Sequence, residues 1–494
     1  MNTYPLGTTA PSSDTEHPSY ESDVFGFVIL WCKLEPHRLG EVGLFVPFEE
    51  TLIGRGNLGL KGFLRFGRHR PGGPPVIPPI GWCLRDDRIS REQLVATAQA
   101  GHIDMLVKGG CPTFVNDVLV PKGDRVKLVE GDLVLLKDSA LFLVVKRQRI
   151  MPALANLSAQ HAFGKASAAG MVGESPILWL VQDALALAAS RHNHVLLGGE
   201  SGSGKEAGAR AIHLQSSRAS KTFYSMNAAA IEKGLFTAEV FGSMANFPNA
   251  GMPAREGLLP IADGSTAFLD EVGGLDPEDQ TKLCRALEYA EYHKVGESRA
   301  RRLTTVVVAA TSSDLNDLKL DFRNRFARII MIPPLRVRQE DIPLILRHLA
   351  IAEIAQYPDL ERFLERTPDG EMAPRVTVDF VKALVRSALP GNVRDLYNLL
   401  LLALAQSRGD WIEQPRELAL ALEAPPSKEP PASEASSAPA QSGRRPKCTE
   451  EEIVAALAKA GGRVQAAALM LGVPRTTLRN WMTDYGLRAK EDAG

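Results

Sequence analysis

The sequence predicts a multidomain chain: an N-terminal β-sandwich, a central α/β core with a phosphate loop and helical lid, and a small all-α C-terminal unit. Three observations predict it. Residues 25–145 hold short β-rich runs between Gly/Pro turns, such as Val126-Lys-Leu-Val and Asp132-Leu-Val-Leu-Leu. Between residues 171 and 421, strand-like and helix-like segments alternate around the run Gly199-Glu-Ser-Gly-Ser-Gly-Lys-Glu206. Residues 424–446 are rich in Pro, Ser, Ala and Glu with no apolar period, and a compact helical stretch follows them.

The implied layout begins with a disordered N-terminus (1–23), the sandwich (24–148) and a linker (149–170). The α/β unit spans 171–422, its core about 171–337 and its lid about 338–422. A disordered linker (423–447) leads to the helical unit (448–490). A formal net charge of -1 gives no global pull toward nucleic acid, so any DNA binding has to be local. The five cysteines (Cys32, Cys83, Cys111, Cys284, Cys448) form no C-x-x-C pair and fit a reducing cytoplasm. The N-terminus lacks the basic leader and apolar core of a signal peptide, and no apolar run is long enough to span a bilayer. These features predict a soluble, cytoplasmic protein with no membrane partner.

The central run closes an apolar strand, Val195-Leu196-Leu197, and opens a helix at Ala207. Its glycines let the backbone wrap a polyphosphate, so that successive N–H groups and the helix N-terminus face the anion. The candidate nucleotide site is therefore Gly199, Glu200, Ser201, Gly202, Ser203, Gly204, Lys205 and Glu206, with Lys205 placed to reach the β- and γ-phosphates. ATP and Mg²⁺ are the expected ligands. Glu206 stands where Ser or Thr usually helps hold the metal, so Mg²⁺ must lean on other groups. Thr266-Ala-Phe-Leu269 supplies them: this buried-strand run ends in Asp270-Glu271. One carboxylate, Asp270, serves Mg²⁺ and the other, Glu271, orients the attacking water.

From residue 172 to 398 the chain resembles the AAA+ module of bacterial enhancer-binding proteins, the activators of sigma-54 RNA polymerase. The matching segments include Gly173-Glu-Ser-Pro, the phosphate loop, Glu239-Val-Phe-Gly, Ala267-Phe-Leu-Asp-Glu, Ala309-Ala-Thr and Pro390-Gly-Asn-Val-Arg-Asp-Leu. The resemblance makes Glu206 normal for its position. It implies an AAA+ ATPase in which Asn227 restrains the catalytic Glu271 and the lid Arg394 reports nucleotide state. Arg323 and Arg325 fall at the arginine-finger positions, which implies a ring of subunits. Two departures stand out. Thr311-Ser312 replaces the usual Thr-Asn, a weakened polar sensor. The loop that grips sigma-54 reads Asn246-Phe247-Pro248-Asn249-Ala250, without the family's Thr and flanking glycines, and Pro248 restricts its backbone.

Leu52-Ile-Gly-Arg55, Ile89-Ser-Arg-Glu-Gln93 and Thr113-Phe-Val-Asn116 resemble pieces of a forkhead-associated (FHA) domain, a sandwich that recognises phosphothreonine. Arg55, Ser90, Arg91 and Asn116 are its candidate phosphopeptide-binding residues, with Gly67-Arg68 an alternative start, and the implied partner is a phosphothreonine protein from a Ser/Thr kinase pathway. Gln93 replaces the family's usual His. The last unit resembles the Fis-type helix-turn-helix. Its final helix turns Leu478 and Trp481 inward and Arg475, Thr476, Thr477, Arg479 and Asn480 outward toward DNA. The resemblances together imply an ATP-dependent, DNA-binding regulator of the sigma-54 activator class, gated by phosphothreonine, ring-forming through AAA+ and dimeric through the helix-turn-helix. The altered loop keeps open a sigma-54-independent regulator in which ATP controls oligomerisation. A phosphopeptide-recruited ATPase scaffold is a third class.

Overall fold

The structure, a computed structural model, describes residues 23–56, 62–77, 84–156, 162–232, 234–247, 250–368, 370–423 and 450–459, with Leu478, Trp481, Met482 and Tyr485. The expected disordered segments at 1–23 and 423–447 fall almost wholly outside the described residues.

β1 (Val24–Cys32), β2 (Val42–Leu44) and β3 (Glu50–Ile53) open the chain. They are followed by β4 (Leu94–Ala98), β5 (Ile103–Val107), β6 (Thr113–Val115) and β7 (Val118–Val120). The set closes with β8 (Arg125–Leu128), β9 (Leu133–Leu136) and β10 (Ala140–Arg147). Two antiparallel sheets result, one six-stranded in the order β2-β1-β10-β9-β6-β7 and one four-stranded, β3-β4-β5-β8. They face each other across an aromatic core in which the Phe142 ring stacks on Phe27 and Phe66 at 5.6 and 5.5 Å.

All nine residues of β1 are buried, which a strand with one solvent face does not allow. Phe25, Phe27 and Ile29 point into the sandwich, whereas Val28, Leu30 and Trp31 join a second core shared with the lid. A shift of register between Ile29 and Trp31 turns both Leu30 and Trp31 to that outer side.

The central unit begins with α1 (Pro176–Arg191), β11 (Val195–Gly198) and α2 (Lys205–Leu214). β12 (Phe223–Asn227), α3 (Phe236–Phe241), α4 (Leu258–Ile261), β13 (Thr266–Asp270) and α5 (Pro277–Tyr289) follow. A two-stranded hairpin of β14 (Glu291–Tyr292) and β15 (Arg301–Arg302) precedes β16 (Val306–Thr311), α6 (Leu320–Arg323) and β17 (Arg328–Met331). The five main strands form a parallel sheet ordered β12-β13-β16-β11-β17. The inner strands β11 and β16 are near-continuous apolar runs, buried throughout by helices on both faces. Gly198, Asn227, Asp270 and Thr311 all end strands at the same carboxyl edge, where ligands bind in open α/β sheets.

The lid consists of α7 (Ile342–Ile354), the hairpin β18 (Leu364–Arg366) and β19 (Met372–Pro374), α8 (Val378–Arg386), α9 (Asn392–Gln406) and α10 (Arg416–Glu423). Asp341 anchors it to the core: its carboxylate accepts the Glu174 and Ser175 N–H groups at 2.7 and 2.9 Å and the Ser175 hydroxyl at 2.6 Å. The lid covers the outer face of the six-stranded sheet. The Trp31 indole N–H donates to the Val376 carbonyl at 2.7 Å, and Asp117 pairs with Lys382 (3.0 Å) and Arg386 on α8. Arg147 meets Glu340 in an ion pair that is mostly withdrawn from water. Removing one member leaves a buried charge without its counter-ion. Arg147→Met is therefore expected to lower stability by about 3 kcal/mol, read as a shift of the first urea transition to lower urea. The double variant Arg147→Met/Glu340→Met is expected to recover most of the loss, and an unshifted single variant would refute the pairing.

In the C-terminal unit the described residues include α11 (Glu450–Lys459), in which Ile453 is fully buried. Leu478 and Met482 are also buried, and the Tyr485 N–H donates to the Trp481 carbonyl at 3.0 Å, one helical turn apart. The proposed DNA-facing residues Arg475, Thr476, Thr477, Arg479 and Asn480 lie outside the described residues. No helix among the described residues is long and apolar enough to cross a membrane. Cys32, Cys111 and Cys284 are buried free thiols.

Candidate functional site

The phosphate loop joins the end of β11 to the start of α2. Gly202 and Gly204 adopt left-handed conformations (φ 71° and 109°) that an ordinary side chain resists. Gly202 has a second constraint, because a Cβ there would lie 2.1 Å from the Gly391 carbonyl oxygen of the lid. The Lys205 ammonium, itself buried, donates to the carbonyls of Gly199 (2.9 Å) and Glu200 (3.3 Å), and it lies 3.6 Å from Glu271.

The lid closes onto this loop at the start of α9. Arg394 donates to the Ser201 hydroxyl at 3.0 Å, and the Val393 N–H donates to the Gly202 carbonyl at 3.0 Å. Asn392 binds the two parts together: its amide donates to Glu200 (3.2 Å) and the Ser201 carbonyl (3.1 Å), and its oxygen accepts the Leu335 N–H (2.8 Å). It is buried in a left-handed conformation (φ 53°). Arg336 pairs with Glu200 at 2.5 Å and holds that carboxyl below the usual carboxylate range. Buried Arg338 donates to the Ser203 carbonyl at 3.0 Å. Sequence reasoning missed Asn392 and both arginines, although Asn392 lies inside the quoted Pro390-Gly-Asn-Val-Arg run. Glu206 turns outward and pairs with Arg210 at 2.8 Å.

At the end of β13, burial and the neighbouring Glu271 charge push the Asp270 carboxyl up. Burial also works to raise Glu271, but bonds from Ser312 and the charge of Lys205 outweigh it and bring that carboxyl below its ordinary value. An acid pair whose like charges repel suits a cation. Among the described residues no group of three or more His, Cys, Asp or Glu side chains is placed to hold a metal alone.

Asn227 stands opposite Asp270 in the β12–β13 register, and its amide oxygen accepts the Ala229 N–H at 2.9 Å. Glu271 is held instead by Ser312, whose N–H and O–H both donate to one carboxylate oxygen. Arg323, at the end of α6, is held within its own chain by the Leu315 carbonyl and Asn316. Arg325 pairs with Glu288 of α5 at 3.2 Å. In the altered loop, Asn246 takes a left-handed conformation (φ 63°), accepts the Gly251 N–H and donates its own to the Met252 carbonyl. Phe247 seats against Gly296, where a Cβ would come within 2.9 Å of its ring. Ala250 is exposed, while Pro248 and Asn249 lie outside the described residues.

On the sandwich, the structure brings Arg55, Ser90 and Arg91 to one end. The Arg55 N–H donates to the Ser90 carbonyl at 3.1 Å, its guanidinium pairs with Asp87, and Arg91 is exposed. The Ser90 hydroxyl accepts the Gly110 N–H at 2.9 Å. Asn116 is not brought to this group. It lies at the far end of β6, where its amide donates to Asp132 (2.8 Å) and its oxygen accepts the Leu133 N–H (3.0 Å). Gln93, fully buried, ties the Arg55 end together by accepting the Ser90 and Cys111 N–H groups and donating to the Cys111 carbonyl. Arg68, the alternative arginine, instead packs over the Phe163 ring at 5.4 Å.

Phosphate loop, acid pair and lid arginine at one sheet edge define a phosphate-loop α/β module with a helical lid. Residues 171–333 match the family described as Sigma-54 interaction domain, and residues 450–485 match Bacterial regulatory protein, Fis family. The chain is 34% identical over 316 residues to the transcriptional regulatory protein ZraR of Klebsiella oxytoca, covering 63% of this chain and 67% of that protein. It is 36% identical over 248 residues to the Nif-specific regulatory protein of Rhodobacter capsulatus, covering 49% of this chain and 40% of that one. Among solved structures it is similar to NtrX from Brucella abortus in complex with ATP, at 24% identity and a TM-score of 0.44 over 64% of this chain and 70% of that one. The chain belongs to the family of sigma-54-dependent transcriptional activators that join a sigma-54 interaction domain to a Fis-type DNA-binding helix-turn-helix.

Proposed function

We propose that this protein is an ATP-hydrolysing regulator that binds DNA through its C-terminal unit, acts on sigma-54 RNA polymerase, and is gated by phosphothreonine recognition on its sandwich. The observation that carries the reading is the convergence of Lys205, Asp270, Glu271 and Arg394 on one loop, with Lys205 3.6 Å from Glu271 and Arg394 bonded to Ser201. Lys205 and the loop N–H groups hold the β- and γ-phosphates, and Glu271 polarises the attacking water. Mg²⁺, when bound, neutralises phosphate charge, with Asp270 as its protein ligand. Arg394 carries the state of the phosphates to α9 and so to the lid. In a ring, Arg323 or Arg325 leaves its intrachain partners and reaches the neighbouring subunit's nucleotide.

The test is open-complex formation by sigma-54 polymerase on supercoiled promoter DNA, with the full-length protein and ATP. ATP-dependent opening supports the reading. Intact ATP hydrolysis without opening supports the sigma-54-independent regulator, whose altered Asn246–Ala250 loop no longer grips the polymerase.

For the sandwich, the support is the cluster of Arg55, Ser90 and Arg91 at one end. Charge-assisted bonds from a guanidinium dominate the recognition of a phosphate. Arg55→Ala is therefore expected to weaken binding of a degenerate phosphothreonine peptide pool by about tenfold or more and to leave the unphosphorylated pool unchanged. Equal binding of both pools by the wild type would remove the gating proposal.

A further inference from the structure

We propose that Arg336 is a positioning residue for the phosphate loop and acts through Glu200, holding that carboxylate against the hinge between core and lid and cancelling its charge. The inference rests on the nucleotide-binding reading given above and adds to it a residue from outside the loop.

The loop read as wrapping a polyphosphate carries a carboxylate at its second position, Glu200, whose charge would repel the anion if it stood free. The hinge supplies the counter-charge. After β17 the chain passes through Pro333-Pro334 into a single tight turn over Leu335–Val337. Leu335 is fully buried in the core that includes the lid, and its N–H donates to the Asn392 side-chain oxygen at 2.8 Å. These contacts place the turn without the Arg336 side chain.

From the turn, the Arg336 guanidinium meets Glu200 with both prongs, Nη1 on one carboxylate oxygen at 2.7 Å and Nη2 on the other at 2.5 Å. Asn392 adds a third donor at 3.2 Å. Arg336 and Glu200 are both partly exposed, where a pair joined at one point contributes little. A two-pronged arginine–carboxylate pair inside a network is the exception. The Glu200 carbonyl in turn accepts the Ser203 N–H at 3.2 Å and the Lys205 ammonium at 3.3 Å. Arg338, two residues beyond Arg336, donates to the Ser203 carbonyl at 3.0 Å. The hinge therefore grips both corners of the loop turn 200–203, and its hold on Glu200 reaches Lys205 through one residue.

The experiment is a double-mutant cycle in the full-length protein: wild type, Arg336→Ala, Glu200→Gln and the two combined, with Arg336→Lys as the conservative variant. Affinities for a fluorescent ATP analogue and for ADP are measured at low and high salt. Arg336→Ala frees a negative charge in the loop and is expected to weaken binding of the ATP analogue by about tenfold, the effect of bonds to a charged group. ADP should lose less, about threefold, because repulsion grows with the charge of the phosphates. High salt should shrink both losses. In the Glu200→Gln background there is no charge to cancel, so the same substitution should change affinity by less than about twofold. Arg336→Lys keeps the charge without the fork and should recover part of the loss.

An unchanged affinity in Arg336→Ala overturns the proposal. So does an equal loss in the wild-type and Glu200→Gln backgrounds, since Arg336 would then act on the nucleotide or the hinge without Glu200. Equal losses for the ATP analogue and ADP that salt does not move also overturn it, because a displaced hinge would be the cause. A wild-type protein that binds neither nucleotide overturns both this inference and the nucleotide-binding reading. Normal wild-type binding with an indifferent Arg336→Ala variant overturns this inference alone.

Discussion

Lys205→Ala is expected to abolish ATP binding within the reach of calorimetry, a loss of about a hundredfold or more. The ammonium is buried between two loop carbonyls and faces the Asp270–Glu271 pair, so it is the main positive charge the site offers to a polyphosphate. A bond to a charged group contributes about 1.5–3 kcal/mol, and the lysine reaches more than one phosphate oxygen. Its removal also leaves two carboxylates facing an incoming anion without a counter-charge, which adds repulsion to the lost attraction. Lys205→Arg should not restore affinity, because the planar guanidinium cannot replace a compact ammonium between the Gly199 and Glu200 carbonyls. Affinity within about threefold of wild type in Lys205→Ala would end the assignment of this loop to a nucleotide.

Glu271→Gln separates binding from chemistry. The amide has the same shape and its oxygen still accepts the two Ser312 donors, so the loop and the neighbouring Asp270 keep their places. The variant loses the negative charge that polarises water. Turnover is expected to fall by about a hundredfold or more, the usual contribution of a positioned base, while ATP affinity changes by less than about threefold. Binding should tighten rather than weaken, since one repulsive carboxylate has gone. Turnover at the wild-type rate would strip Glu271 of its role. A loss of affinity as large as the loss of turnover would show instead that Glu271 acts through the fold of the loop.

The phosphate loop was legible because its chemistry is local. Glycines at positive φ, a lysine at the start of a helix and a carboxylate pair closing a strand are short-range requirements, and the run 199–206 states them in sequence order. The alternating runs of 171–421 likewise predicted an α/β core, which the structure builds on a parallel sheet, and the β-rich runs of 25–145 predicted a β-sandwich. Contacts made across distant segments were not legible. Ser312 follows Glu271 by 41 residues, and Asn392 follows Ser201 by 191, so their pairing exists only once the strands align and the lid closes. Asn116 shows the converse error. A short motif placed it with Arg55 and Ser90, while strand direction carried it to the other end of β6.

By itself, then, the sequence determined the order of the units, the phosphate loop and the acid pair, since each depends on backbone conformations and side chains within a few residues. Tertiary structure alone decided that the sandwich lays its outer face on the lid. Its partners on α7 to α9 lie more than 300 residues from Trp31 and more than 200 from Leu141, and only packing brings them together. The same reason governs Glu271: the sequence placed a carboxylate at a strand end, and the register of β13 against β16 decided which residue holds it.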